Sequence, residues 1–128
     1  MPHLTVKIHE ESLNPTTQTA LIRELTQALV AVYGERARPL AVVELFGTPR
    51  ERWGTGGALA TANTPVVTLT IREAALHTAG TDADTPRRLI ASLTDAVTGV
   101  FGEEIRAGVT VVIDAIPAGR SGTAGQPV

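Results

Sequence analysis

Residues 21–57 read LIRELTQALVAVYGERARPLAVVELFGTPRERWGTGG, and residues 89–125 read LIASLTDAVTGVFGEEIRAGVTVVIDAIPAGRSGTAG. The two segments superimpose without a gap at an offset of 68, and 15 of their 37 positions are identical. The identities include Leu21/Leu89, Leu25/Leu93, Gly34/Gly102, Val43/Val111, Pro49/Pro117, Arg52/Arg120 and Gly54/Gly122. Chance would supply only about two or three, so the chain is one unit written twice. Upstream the match resumes at offset 63, pairing Pro2 with Pro65, Thr5 with Thr68, Ile8 with Ile71 and Glu10 with Glu73. The second copy therefore carries five extra residues, placed around Thr78 to Asp84.

Each copy reads as strand, helix, strand. Pro2 to Ile8 alternates, with Leu4, Val6 and Ile8 on one face and His3, Thr5 and Lys7 on the other, the period of a half-buried strand. Asn14 is a helix N-cap with Pro15 at the first helical position, and Leu21, Leu25, Ala28, Leu29 and Val32 then recur at helical spacing. Tyr33-Gly34 ends that helix, and Leu40 to Phe46 is the next strand. The second copy predicts a strand over Pro65 to Ile71, a helix from Thr85-Pro86 to Phe101-Gly102, and a strand over Val109 to Ala115.

A strand-helix-strand unit of this length makes a right-handed crossover between parallel strands. Two units side by side give an α/β (α+β) fold: a tandem βαβ repeat with a four-stranded mixed sheet and two helices on one face. The expected organisation is a single domain over 1–128, with one unit at 2–57 and the other at 65–125. The sheet face away from the helices, lined by Val42, Val66 and Val112, would stay wet in a monomer and predicts association with other copies. The alternative is a monomeric ferredoxin-like sandwich.

Composition narrows the function classes. The chain has 43% hydrophobic and 19% charged residues, values of an ordinary globular protein. Eleven basic against thirteen acidic residues, with no basic cluster and few aromatics, leave no footprint for nucleic acid. The absence of cysteine excludes thiolate catalysis, disulfides and cysteine-based metal sites. No apolar run approaches a membrane span, and Met1-Pro2-His3-Leu4-Thr5 does not begin a secretory signal, so a cytoplasmic location is expected.

A proline at position 2, the βαβ duplication, and the segment Pro49-Arg50-Glu51-Arg52-Trp53-Gly54-Thr55-Gly56-Gly57 together resemble the tautomerase superfamily. Short members such as 4-oxalocrotonate tautomerase build a hexamer from one βαβ unit, and longer members fuse two units and form a trimer. This chain is similar to the fused kind over its whole length. The resemblance implies removal of Met1, after which Pro2 presents a secondary amine that shuttles a proton between carbon and oxygen. Burial disfavours the charged form of such an amine, whose ordinary pKa is near 7.7–8.0, and leaves a neutral base at pH 7. Pro65 is acylated by Thr64 and has no basic nitrogen, so each chain can hold one site.

If the first strands of the two copies run antiparallel about the pseudo-two-fold, Pro2 faces Arg72 and the acylated Pro65 faces His9. Arg72 matches the place where fused members hold an arginine that grips a substrate carboxylate, a task suited to a guanidinium. The same symmetry brings Arg120, and with it Asp114, toward Pro2 on the second-copy hairpin, where Ser121 replaces the aromatic that the first copy keeps as Trp53.

Other features read as structural. His3, His9 and His77 have no metal-ligand spacing and are expected to face solvent or to be satisfied locally. Glu44 is expected at an interface, and Gly54, Gly56 and Gly57 in a turn.

The expected activity is cofactor-independent tautomerisation of a small anionic 2-oxo/2-hydroxy-enoic acid by a homotrimer, with no metal, nucleic acid or membrane. Two alternatives stand beside it. One is hydratase-type dehalogenation or decarboxylation of a three-carbon acid; the resemblance there implies two arginines close together at the end of the third strand, whereas here Arg72 is followed by Glu73-Ala74-Ala75. The other is a non-catalytic trimeric binding module of the same fold.

Overall fold

A computed structural model describes residues 1–77 and 84–128. The insertion expected around Thr78 to Asp84 lies, apart from Asp84, outside the described residues. The first copy contributes β1 (His3–His9), α1 (Pro15–Tyr33) and β2 (Val42–Thr48), followed by a hairpin of β3 (Gly54–Thr55) and β4 (Ala58–Leu59). The second contributes β5 (Val66–Arg72), α2 (Thr85–Phe101) and β6 (Thr110–Ile116), followed by a hairpin of β7 (Gly122–Thr123) and β8 (Gln126–Pro127). The order in the four-stranded sheet is β2-β1-β5-β6. Each α-helix connects a parallel pair, and the two copies meet at the antiparallel β1–β5 seam, with His3 opposite Thr70 and Lys7 opposite Val66.

The core lies between the sheet and both helices. Leu4, Val6 and Ile8 of β1 and Val67, Leu69 and Ile71 of β5 meet Leu21, Leu25, Leu29, Leu89, Leu93 and Val97 in one buried cluster. At about 25 cal/mol per Å² of apolar surface removed from water, this layer is the main stabilising term. The Asn14 side chain caps α1 by accepting from the Thr16 and Thr17 amides at 2.9 Å each, and Thr17 reciprocates by accepting from the Asn14 amide. One core assignment shifts by two residues: Val30 is buried and Val32 is only half-buried.

Both helices stop at glycines in backbone conformations closed to other residues, Gly34 at φ 86°, ψ 174° and Gly102 at φ 102°, ψ 162°. After each glycine the chain turns through 3-10 helix, Glu35–Leu40 and Glu103–Gly108. The Ala41 amide reaches back to the Ala37 carbonyl at 3.0 Å, so β2 begins two residues later than the hydrophobic run Leu40 to Phe46 implied. β6 likewise begins at Thr110 rather than Val109.

Away from the helices, the sheet shows Val42 and Phe46 on β2 and Val112 on β6, all more than two-fifths exposed. Between these edges the same face carries Thr5, Lys7, Thr68 and Thr70. With Glu44 on β2 and Asp114 on β6 it is a mixed face, in which exposed apolar side chains alternate with acids at the margins and threonines recur at the centre. Among the described residues no helix is long and apolar enough to cross a membrane.

Candidate active site

Pro2 immediately precedes β1, where proline's missing amide hydrogen costs no ladder bond. Its carbonyl accepts from the Val42 amide at 3.1 Å, and Pro65 repeats the arrangement with Thr110 at 3.0 Å. Pro2 is buried. The seam that sets His3 opposite Thr70 carries β5 past the start of β1, so Arg72 ends its strand beside Pro2.

The two residues share a cavity of about 240 Å³. Its apolar wall includes Ile71, Leu40 and Ala75, and besides Arg72 its polar groups come from the end of α1 and the turn beyond it: Tyr33 and Arg36. The Tyr33 hydroxyl donates to the Ala75 carbonyl at 3.1 Å, tying α1 to the segment that follows Arg72. Burial pushes the Tyr33 phenol above its usual 10.0, so it stays protonated at neutral pH. Met1 also lines the cavity and acylates the Pro2 nitrogen, which becomes an amine only on its removal.

Arg36 stands beside a crowded ion pair without joining it. Arg38 donates to Glu35 at 2.9 Å and to Gln27 at 2.7 Å, and this hydrogen bond holds the Glu35 carboxyl below the ordinary carboxylate range. Among the described residues neither Arg36 nor Arg72 has a carboxylate partner. The Arg72–Glu73 pairing that would make Arg72 an ordinary solvated strand end is thus not formed.

The repeat-related end of the sheet is plugged. His9, at the end of β1, is 1% exposed, with the Trp53 ring edge-on at 4.9 Å and 89°. Neither His9 ring nitrogen finds a hydrogen-bond partner among the described residues, and the Glu11 carboxylate stands 3.9 Å from Nδ1, so this histidine is buried without a hydrogen bond, contrary to expectation. Glu11 is taken by Arg50 at 2.7 Å, and Asn63 donates to Ser12 at 2.9 Å. On the second hairpin Ser121 replaces Trp53, and a cavity of about 340 Å³ opens between Arg72, Ile116 and Val128. Arg72 thus borders two spaces, the Pro2 cavity and this second one beside Ile116 and Val128.

Arg120 and Asp114 are not brought to Pro2 by their own chain. Arg120 is exposed in a turn closed by its amide to the Pro117 carbonyl at 3.1 Å, and it does not line the Pro2 cavity. Asp114 falls in the cross-strand row Val42, His3, Thr70, Asp114, on the face away from the helices. Glu44 lies on that face too, accepting from His3. Tyr33 and Arg36 line the Pro2 cavity as well, and the strand and hairpin readings did not single them out. The signal was in the repeat: at offset 68 they correspond to Phe101 and Glu104, so the two copies differ in the polar groups they offer there.

No family model matches the chain, and no curated protein matches its sequence. Solved structures do. The fused 4-OT F6, a wild-type asymmetric trimer, shares 27% identity at a TM-score of 0.83 over 98% of this chain and 95% of that one. Native fused 4-OT shares 26% at 0.82 over the same proportions. N1, a member of the cis-3-chloroacrylic acid dehalogenase family, shares 19% at 0.79 over 99% of this chain and 83% of that one, a likeness of fold alone.

Proposed function

As a tautomerase-superfamily chain of the fused, two-unit form, this protein, we propose, is a cofactor-independent tautomerase of a small 2-oxo/2-hydroxy-enoic acid. The observation that carries the reading is the placing in one cavity of buried Pro2 and of Arg72, which pairs with no carboxylate among the described residues. With Met1 removed, the Pro2 nitrogen is a secondary amine in an apolar wall, where desolvation favours its neutral form. It takes the proton of the substrate's 2-hydroxyl and returns it to carbon, so that enol becomes ketone with no net change in protonation. Arg72 holds the carboxylate next to the reacting oxygen by two parallel N–H···O bonds. The fused 4-OT F6 is a trimer, and the same assembly is proposed here. In it, Arg120 and Asp114 would reach a Pro2 cavity only from a neighbouring subunit.

Intact mass establishes removal of Met1, and ketonisation of phenylenolpyruvate and of 2-hydroxymuconate then tests the activity. Pro2→Ala is expected to lower kcat/KM by about 10²-fold or more, since a freely rotating primary amine replaces the fixed base. Equal activity in wild type and variant rules the mechanism out, and background rates on both compounds rule out the substrate class. A protein that keeps Met1 in its native host is a binding module of this fold.

One observation favours a second reading. Hydratase-type dehalogenation or decarboxylation calls for two guanidiniums at the site, and Arg36 supplies the one that the sequence after Arg72 lacks. Among the described residues no carboxylate lines the cavity to activate water, so this chemistry needs Asp114 from a neighbour. Halide release from 3-haloacrylate distinguishes it.

A further inference from the structure

We infer that Arg36 is the specificity residue of the Pro2 cavity, reading the far end of the ligand as an anion while Arg72 holds the near carboxylate. The inference rests on the reading of that cavity as the substrate site.

Three observations lead to it. First, Arg36 and Arg72 approach one apolar cavity from opposite elements, the turn after α1 and the end of β5, with Pro2 between those elements in the fold. Two guanidiniums beside an apolar wall repel each other and are completed by an anion at each. Second, the local carboxylate is withheld from Arg36: Glu35 is clasped by Arg38, which also engages Gln27. The clasp recurs in the second copy, where Arg106 takes Glu103 and Asp95. It is thus part of the scaffold, and Arg36 is an addition to it.

Third, the repeat supplies an internal control. At the end where Pro65 has no basic nitrogen, the counterpart of Arg36 is Glu104 and that of Arg72 is His9. The Glu104 carboxylate folds back over its own turn, so close that a Cβ on Gly102 would meet Oε1 at 2.5 Å. Positive charge therefore accompanies the one proline that can become an amine. The backbone of the turn is common to both copies, as Gly34/Gly102 and the 3-10 helices after them show.

The test uses Met1-free protein and ligands that cannot tautomerise, so a failed turnover assay and a failed inference remain distinct. Hexanedioate and hexanoate are titrated calorimetrically into wild type, Arg36→Glu and Arg36→Gln. The first variant copies the residue that the same turn accepts at 104, and the second keeps size without charge. Wild type is expected to bind the dianion about 10-fold tighter than the monoanion, the scale of one charge-assisted hydrogen-bonded pair. Both variants are expected to lose that preference, with hexanoate affinity changed less than about 3-fold in Arg36→Gln. A wild type with no preference for the dianion, or a preference that survives in both variants, overturns the inference.

Discussion

Tyr33 is the only tyrosine in the chain, which makes its environment directly measurable. Burial raises its pKa above 10.0, so the folded state holds the phenolic proton more tightly than the unfolded chain. Its contribution to stability is complete below pH 10.0 and is lost as pH climbs through the folded-state value. Absorbance of the phenolate near 295 nm is expected to rise at a higher pH in native protein than in denaturant; coincident titrations would contradict the burial. Tyr33→Phe removes the bond to the Ala75 carbonyl and is expected to cost about 1 kcal/mol, read by denaturant unfolding. At this scale the sequence was partly legible. Pro2 and Arg72 followed from the repeat and the antiparallel seam, because register alone decides which strand ends meet. Tyr33 and Arg36 did not, because a residue at a helix end reads as a cap until the following turn is seen to aim it. Arg120 and Asp114 do not line the cavity of their own chain: symmetry between the copies locates a hairpin but not the subunit whose pocket it reaches.

The elements themselves were read more closely, since caps and turns are local chemistry. Asn14→Ala removes an acceptor that serves two amides and is expected to cost about 1 kcal/mol, lowering the thermal midpoint by about 3–5 °C. The two hairpins offer a matched pair of substitutions. In the first turn both central residues are glycines, Gly56 at φ 64° and Gly57 at φ 85°; in the second, Ala124 occupies φ 53° before Gly125 at 80°. Two-residue hairpin turns with both φ positive favour glycine, and an alanine there strains its Cβ against the backbone. Ala124→Gly is expected to stabilise by a few tenths to about 1 kcal/mol, and Gly56→Ala to destabilise by a similar amount. Strand starts were displaced by two residues in β2 and one in β6 because Leu40 and Val109 are apolar enough to extend a strand pattern. Backbone hydrogen bonds in the preceding turns decide otherwise, including Ala41 to Ala37 at 3.0 Å and Val109 to Arg106 at 3.2 Å.

For the molecule as a whole, the question is what covers the sheet face away from the helices. The order β2-β1-β5-β6 leaves β2 and β6 as open edges, and those strands carry the exposed Val42, Phe46 and Val112. The same face carries threonines, Lys7 on β1, Glu44 on β2 and Asp114 on β6, so a partner must satisfy hydroxyls and charges as well as cover apolar side chains. Such a face fits a closed ring, in which margins pack against neighbouring margins and the centre turns toward an axis wet enough for polar groups. At about 25 cal/mol per Å², an interface of roughly 1,000 Å² per protomer outweighs the cost of association. Light scattering at micromolar concentration is expected to give a mass near three times the 13.4 kDa of the chain. The pair Phe46→Lys and Val112→Lys tests the cause, because both side chains project from the helix-free face and neither belongs to the buried core. The double variant is expected to keep its helical circular dichroism and fall to the mass of one chain; a ring that survives two lysines on this face must be held together elsewhere.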